Sequence, residues 1–345
     1  MTDLKSMTLP ELTQWMQDRG EKKFRARQVY GWMHEKLASS YQEMTDLPKT
    51  LRDQLEQEGE FICLEKEVVQ VSRLDGTRKY LFRLKDGNFI ESVLMRYHHG
   101  NSVCISSQVG CRMGCSFCAS TIGGKLRDLS ASEMLDQVYR IRKDTGERVS
   151  NVVVMGTGEP LDNYDNLLRF IRILTGEGGQ NISQRNVTVS TCGLVEKMRQ
   201  LADEKLQITL ALSLHAPNDE IRKKLMPVAY RYSYDEVLNA CRYYFSQTGR
   251  RVTFEYSLCQ GVNDRPEHAA LLGQRIRGLN AHINLIPVNP VRERSFTRSS
   301  RSRVDEFKNE LEKYGNNVTI RREMGADIDG ACGQLRSRYR KRDET

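Results

Sequence analysis

The chain has 345 residues and a formal net charge of +8, with 53 Lys and Arg against 45 Asp and Glu. A chain of this length can bury a sizeable core, and it suits one large domain with an accessory domain or two. Its apolar runs, such as 152–155 and 208–212, are far shorter than the roughly 20 residues of a membrane helix. The first residues include acids and no apolar stretch typical of a secretory signal. We therefore expect a soluble, cytoplasmic, monomeric protein that does not act at a membrane.

The first 60 residues predict a helical accessory domain. Thr8 and Glu11 have the spacing of a capping box at the start of a first helix, which Gly20 would close. Further helices are predicted over 26–37 and 49–58. Residues 61–100 then predict an antiparallel β extension, because a period of two replaces the helical period. Its strand candidates, separated by two Asp-Gly turn signals, cover residues 67–71, 79–84 and 89–95.

From residue 101 to about 300 the pattern alternates between strand and helix. Such alternation is typical of an α/β fold with a parallel sheet. A complete eight-fold barrel typically needs ~250 residues, so we predict a partial (βα)6 barrel. The six strand candidates are 102–107, 151–155, 186–191, 207–214, 251–258 and 282–287. Residues 301–345 would add a helix, a strand near 317–321, a glycine-flanked segment around Cys332 and a basic tail.

The run C-R-M-G-C-S-F-C is the strongest chemical signal and holds Cys111, Cys115 and Cys118. This spacing supplies three thiolates from one short loop. A cubane iron–sulfur cluster usually takes four cysteines, so three would leave one iron open to a substrate or cofactor. A zinc site would need a fourth ligand at short spacing, which His98 and His99 do not provide. The motif favours a cluster over zinc or three unrelated buried cysteines.

Polar residues follow the predicted strands at their carboxyl ends, where the active sites of α/β barrels lie. The cysteine loop follows the first strand, and the run G-T-G-E-P follows the second. The other strand-end candidates are Ser190, then Ser213, Leu214 and His215, and finally Asn289. Taken singly, each polar side chain among them is more often a satisfied group of the barrel mouth than a ligand contact.

Basic residues form three separate clusters, which favours phosphate binding over a merely solvated surface. The clusters lie near the N-terminus, in a Ser-rich stretch and in the tail. Their members are Lys22, Lys23, Arg25 and Arg27; Arg292, Arg294, Arg298, Arg301 and Arg303; and Arg336, Arg338, Arg340, Lys341 and Arg342.

Seven strings of the sequence, taken together, resemble the RlmN and Cfr family of radical S-adenosylmethionine (SAM) RNA adenosine methyltransferases. The resemblance extends over nearly the whole chain. The strings are G-E-K-K-F-R-A-R-Q, C-I-S-S-Q-V-G-C, G-E-P-L-D-N, S-L-H-A-P-N-D-E, G-V-N-D, N-L-I-P-V-N-P and D-I-D-G-A-C-G-Q-L. The runs G-T-G-E-P-L-D-N-Y-D-N and N-L-I-P-V-N-P resemble RlmN members more than Cfr members.

The resemblance implies a [4Fe–4S] cluster on Cys111, Cys115 and Cys118, with SAM on the open iron. Gly158 and Glu159 would meet the SAM amino group, since glycine permits close backbone approach and a carboxylate pairs with an amine. Ser190, Ser213, Leu214, His215 and Asn289 would complete the SAM pocket. An external electron donor such as flavodoxin or ferredoxin is implied as a partner.

The family's chemistry also implies roles for two further cysteines and one carboxylate. Cys332 would first accept a methyl group from SAM, and a radical from a second SAM would remove hydrogen from that S-methyl group. After its carbon joins the adenine ring, the Cys104 thiolate would attack the Cys332 sulfur and form a transient disulfide. Glu91 matches the position of the family's proposed general base. On sequence pattern alone it would be a solvent-facing strand residue.

The implied substrate is C2 of an adenosine in 23S rRNA, and for some members also a tRNA adenosine. Cfr-like methylation at C8 stays open as an alternative, because no residue has a derivable link to C2. Two other classes also remain: a different radical SAM activity, such as an activase for another protein, and a ribosome assembly factor with a structural cluster. Dispensability of Cys332 would favour the last.

Overall fold

The protein folds around one large mixed sheet, and its structure is a computed structural model that describes residues 1–291, 293–330, 333, 335, 336 and 339. The strands are β1 (Thr2–Asp3), β2 (Gly59–Glu60), β3 (Glu65–Val71), β4 (Arg78–Arg83), β5 (Phe89–Tyr97), β6 (Gly100–Cys104), β7 (Gln108–Gly110), β8 (Lys125–Asp128), β9 (Val149–Val154), β10 (Val187–Thr191), β11 (Thr209–Ser213), β12 (Val252–Leu258), β13 (Ala281–Pro287) and β14 (Asn317–Ile320). The helices are α1 (Leu9–Gln17), α2 (Lys23–His34), α3 (Lys49–Glu58), α4 (Ala131–Thr145), α5 (Tyr164–Thr175), α6 (Val195–Asp203), α7 (Asp219–Leu225), α8 (Tyr234–Thr248), α9 (Pro266–Arg275) and α10 (Arg301–Lys313).

Ten strands form this sheet, in the order β14-β13-β12-β11-β10-β9-β6-β5-β4-β3. The strands from β6 through β9 to β14 are parallel, whereas β3, β4 and β5 are antiparallel and continue the same sheet beyond β6. The predicted partial barrel with an antiparallel extension is therefore confirmed. The C-terminal strand β14 adds a seventh parallel strand beside β13.

Local sequence signals account for several of the helices that flank the sheet. Ser130 and Ser233 begin α4 and α8 with capping boxes, and Gly146 and Gly249 end them at φ of 69° and 65°. The short helix α7 is absent from the sequence prediction. Its seven residues are too few to give a clear period.

The N-terminal helices are attached to the barrel through a buried ion pair. Lys5 Nζ lies 2.5 Å from Asp136 Oδ1 on α4, and both side chains are fully buried. Lys5 also donates to the Ile62 carbonyl oxygen at 2.8 Å. The main hydrophobic core runs from α1–α3 into the space between the sheet and its helices. No helix among the described residues is both long and apolar enough to span a bilayer.

Candidate active site

Two loops at the carboxyl edge of the sheet, residues 105–107 and 156–158, are joined directly by backbone hydrogen bonds. Gly156 N donates to Ile105 O and Ser107 N donates to Thr157 O, both at 2.9 Å. Gly158 has φ of +113°, and a Cβ there would lie 2.7 Å from Ser107 Oγ and from Gln108 Cβ. The close approach that requires glycine is thus between these two loops. Gly158 also lines the thiol cavity, so its predicted approach to a ligand stays a prediction.

The three thiols of the cysteine loop line one cavity of about 150 Å³. Cys111 and Cys115 are buried and Cys118 is partly exposed. Burial raises the pKa of Cys111 to about 12 and also raises the pKa of Cys115, so a metal that binds these sulfurs must displace protons. No three Cys, His, Asp or Glu side chains in the described ranges converge on a single ion. A cubane does not need that convergence, because each thiolate binds a different iron.

Glu159 lines the same cavity, and its carboxylate is held by backbone amides. Oε1 accepts from Leu161 N at 3.1 Å and Oε2 accepts from Cys192 N at 2.7 Å. Burial raises the pKa of Glu159, and the amide bonds oppose that effect. These bonds fix the carboxylate at the cavity wall, where its remaining lone pairs can accept from an amine.

Ser190, Ser213 and His215 also line this cavity, from the ends of β10 and β11. The Ser190 and Ser213 hydroxyl oxygens lie 3.4 Å apart. His215 Nδ1 accepts from Ser257 N at 2.9 Å, and burial, aided by the nearby Arg222 charge, lowers the pKa of His215 to about 3. A neutral ring with an accepting Nδ1 carries its proton on Nε2. Leu214 packs in the main core instead.

A second cavity, of about 320 Å³, lies beside the first and contains Cys104 at the end of β6. Met155 lines the thiol cavity and packs against the small apolar cluster that includes Cys104, so the two cavities are neighbours. Asn289 lines this second cavity, away from the serines and His215 with which the sequence grouped it. Its rim also contains Arg298, Arg321 and Arg322.

Glu91 is buried on β5, and its carboxylate forms three strong contacts. Its partners are Lys79 Nζ at 2.9 Å, Gly333 N at 2.6 Å and Arg336 N at 2.7 Å. The solvent-facing position that the strand pattern alone would give Glu91 is therefore wrong, because a lysine from β4 and two amides of the C-terminal segment compensate its buried charge. Cys332, Arg338, Arg340, Lys341 and Arg342 lie outside the described residues, as does Arg292.

The residues before Cys332 are held by the antiparallel strands and their first turn. Gly325 N donates to Asp75 Oδ2 at 2.9 Å. The Asp327 carboxylate accepts from Ser72 Oγ at 2.6 Å and from Arg73 N at 2.8 Å. Gln70 and Asp329 exchange a pair of hydrogen bonds. The antiparallel extension thus contacts the C-terminal segment on both sides of Cys332 in sequence.

Sequence reasoning missed three buried amides that assemble the site. Gln108 Oε1 accepts from Glu159 N at 2.9 Å. Asn163 donates to Ser107 O at 2.9 Å and Leu129 O at 2.7 Å. Asn263 donates to His215 O and Ser257 O, both at 2.7 Å. All three residues lie in the sequence strings on which the family resemblance rests. Their position in those strings was the signal that could have identified them.

The comparison with known proteins first identifies the class of protein to which this chain belongs. Residues 105–272 match the Radical SAM superfamily, and residues 2–61 match the ribosomal RNA large subunit methyltransferase N-terminal domain. A crystal structure of a radical SAM methyltransferase from Sphaerobacter thermophilus has a TM-score of 0.92 and 44% identity, covering 97% of this chain and 99% of that chain.

Two curated relatives identify the family within this class. Both are called probable dual-specificity RNA methyltransferase RlmN. The protein from Lachnospira eligens is 65% identical over 98% of this chain and 97% of that protein. The one from Lachnoclostridium phytofermentans is 60% identical over 98% of this chain and 95% of that protein. The chain belongs to the RlmN family of radical SAM RNA methyltransferases.

Proposed function

We propose that this enzyme methylates C2 of an adenosine in 23S rRNA, and of a tRNA adenosine, by way of an S-methylcysteine on Cys332. The arrangement that supports this most is Cys104 in a cavity adjacent to the three-thiol cavity. A reaction that needs both a SAM-derived radical and a resolving thiol requires two such neighbouring sites. The dual-specificity name of the relatives supports two kinds of RNA substrate, and the match to a ribosomal RNA methyltransferase N-terminal domain supports rRNA as one of them.

The donor set of the first cavity fits a [4Fe–4S] cluster with one open iron. Cys111, Cys115 and Cys118 supply soft thiolates, and Glu159 lines the same wall for the amino group of SAM. When bound, the cluster would supply an electron for the reductive cleavage of SAM to methionine and a 5′-deoxyadenosyl radical, with flavodoxin or ferredoxin as the external electron donor.

The strand-end residues hold SAM in this proposal. Gly158 shapes the loop, Ser190 and Ser213 offer hydroxyls, and His215 offers its Nε2 proton. Leu214 acts through its backbone, since its side chain is in the core. Asn289 reaches SAM only where the two cavities meet, because it lines the Cys104 cavity.

Cys332 and Cys104 perform the covalent steps. The Cys332 thiolate takes a methyl group from one SAM by displacement, which releases S-adenosylhomocysteine. A 5′-deoxyadenosyl radical from a second SAM takes a hydrogen atom from this S-methyl group, and the resulting S–CH2 radical adds to adenine C2. Glu91 accepts the ring proton, and the ring radical gives up one electron, which the oxidised cluster would accept. Cys104 thiolate then attacks the Cys332 sulfur, so that an S–S bond forms while the S–C bond to the product breaks. The released carbon takes up a proton and becomes the methyl group.

Arginines at the rim of the second cavity would bind the RNA backbone. Arg321 and Arg322 are exposed there, and Arg298 pairs with Glu323 at 2.9 Å. Lys22, Lys23 and Arg27 are exposed on the N-terminal helical unit and would extend this contact. A base that enters a cavity of this kind must be unpaired or flipped.

The test is mass spectrometry of nucleosides from 23S rRNA incubated anaerobically with reconstituted enzyme, SAM and a reductant. We expect 2-methyladenosine, and its loss with Cys332→Ala. Formation of 8-methyladenosine would overturn the C2 assignment and keep the cysteine mechanism. SAM cleavage without any methylated adenosine would overturn the RNA substrate.

A further inference from the structure

Arg222, on α7, is fully buried next to the thiol cavity. Its Nη2 donates to the Cys192 carbonyl oxygen at 2.6 Å. Within the described part of the chain, its Nε and Nη1 have no hydrogen-bond partner, and its guanidinium forms no ion pair with a carboxylate. A buried guanidinium with one neutral acceptor is a costly arrangement, so a negative partner is expected nearby.

The helix that carries Arg222 is bonded to the cysteine loop. Ser116, between two of the cluster cysteines, donates to the Leu225 carbonyl oxygen from its backbone N at 2.9 Å and from its Oγ at 3.0 Å. Ile221 and Leu225 pack in the small core that contains Cys115 and Cys192. Cys192 itself lines the thiol cavity. Asp219 of the same helix is a nearby acid, but no carboxylate lies at ion-pair distance from Arg222 within the described residues, and its one hydrogen bond is to Cys192. The charge of Arg222 is therefore directed at the wall of the proposed cluster site.

We propose that Arg222 is the buried counter-charge of the iron–sulfur cluster; this proposal rests on the cluster site proposed above. A cubane held by three thiolates carries a net negative charge, and this charge becomes one unit more negative when the cluster takes up an electron. A fixed positive charge at the cavity wall stabilises the bound cluster, and it stabilises the reduced form more than the oxidised form. Arg222 is thus a positioning and tuning residue that touches no reacting atom.

A purely structural role makes the opposite prediction for the iron-free protein. If Arg222 served only to satisfy the Cys192 carbonyl, its removal would destabilise apo and loaded protein alike. If it is a counter-charge, the apo-protein contains a buried charge without an ion-pair partner among the described residues, and replacing it with an apolar side chain of similar volume is neutral or stabilising there.

The experiment compares Arg222→Met, Arg222→Lys and the wild type, with Lys224→Met as the control. Lys224 lies on the same helix with its side chain 62% exposed, so its removal deletes an equal charge that water already screens. The readouts are the cluster's midpoint potential by electron paramagnetic resonance titration, the rate of iron loss to a chelator without oxygen, and the urea midpoint of the apo-protein.

We expect Arg222→Met to shift the potential to more negative values and to lose iron about tenfold faster. Arg222→Lys should lie between it and the wild type, and Lys224→Met should match the wild type. The apo-protein of Arg222→Met should unfold at the same or higher urea. An unchanged potential in Arg222→Met, or apo-protein destabilisation that parallels its iron loss, would overturn the proposal. A wild type that holds no cluster would instead overturn the cluster site.

Discussion

Glu91 and Lys79 form an ion pair at the centre of the contact between the antiparallel strands and the C-terminal segment. Their side chains are 3% and 1% exposed. The same carboxylate accepts the amides of Gly333 and Arg336, which follow Cys332 closely in sequence. Glu91 therefore anchors the segment in this conformation. To take a proton from adenine it must exchange at least one of these partners for substrate.

Removing one member of this buried pair should be strongly destabilising. Glu91→Gln leaves the Lys79 charge without its carboxylate, and we expect the free energy of unfolding of the apo-protein to fall by about 3 kcal/mol. Urea denaturation measures it. Adding Lys79→Met should restore most of this stability without restoring methylation. The matched control is Glu60→Gln, whose exposed partner Lys85 predicts a change below about 0.5 kcal/mol. Equal losses in Glu91→Gln and Glu60→Gln would contradict the burial argument.

Several individual residues could be predicted from the sequence because they follow strand ends or lie in an informative motif. Ser190, Ser213 and His215 reach the same cavity as the three thiols for that reason. The environment of Glu91 could not be predicted, because its amide partners come from Gly333 and Arg336, far along the chain. Arg222 was equally hidden, since it stands beside Lys223 and Lys224 in what reads as a solvated basic run.

Among the secondary-structure elements, the antiparallel extension is the surface against which residues 325–330 are held. Asp75 lies in its first turn, and its carboxylate accepts from Gly325 N and from Thr77 N at 2.9 Å. Burial acts to raise the pKa of Asp75, but these amide bonds outweigh it and hold the pKa at about 2, below the ordinary 3.8. The contribution of Asp75 to docking is therefore present above about pH 4 and is lost as the pH falls through 2.

The Asp75 carboxylate should govern how strongly residues 325–330 are held against the antiparallel extension. Asp75→Ala removes the acceptor of the Gly325 amide, and we expect about tenfold faster hydrogen exchange at residues 325–330, which reflects one charge-assisted hydrogen bond. Mass spectrometry of exchanged peptides measures this at neutral pH. Asp86→Ala is the matched control, because it removes the aspartate of the other Asp-Gly turn, which pairs with Arg127 instead. Unchanged exchange in Asp75→Ala would show that the dock does not depend on this turn.

Elements with clear local signals were predictable, and those set by tertiary contacts were not. The helix α3 has the predicted limits of 49 and 58, and the two Asp-Gly turns separate β3, β4 and β5 as expected. The cysteine-loop hairpin β7–β8 was missed, because its three- and four-residue strands pair only through the folded loop. The contacts of Gly325, Asp327 and Asp329 with β3 and its turn join residues too distant for any periodicity to indicate them.

For the molecule as a whole, exposed basic residues lie both at the rim of the Cys104 cavity and on the N-terminal helices. Each Arg or Lys that neutralises an RNA phosphate releases counterions, so affinity should fall as salt increases. We expect Arg322→Ala to weaken RNA binding and to reduce the slope of log affinity against log salt by about 0.7, the value for one contact on a single strand. Fluorescence anisotropy across a salt series measures it.

The control for this prediction is Arg275→Ala, on α9. Arg275 pairs with Asp235 at 2.7 Å on the helical side of the barrel, away from both cavities. It removes the same charge from the molecule and should leave the salt slope unchanged. Equal effects of Arg322→Ala and Arg275→Ala would mean that net charge, rather than the rim of the Cys104 cavity, governs RNA binding.

The most direct test of the two-cysteine mechanism is to trap the enzyme covalently on its RNA. With Cys104→Ala, the thiol that should break the S–C bond is missing. We therefore predict a protein–RNA adduct that survives denaturing electrophoresis and has the summed mass of both partners. The adduct should be absent when Cys332→Ala is added, and absent from Cys241→Ala, which removes a buried cysteine of α8. Full methylation by Cys104→Ala without any adduct would contradict the two-cysteine mechanism.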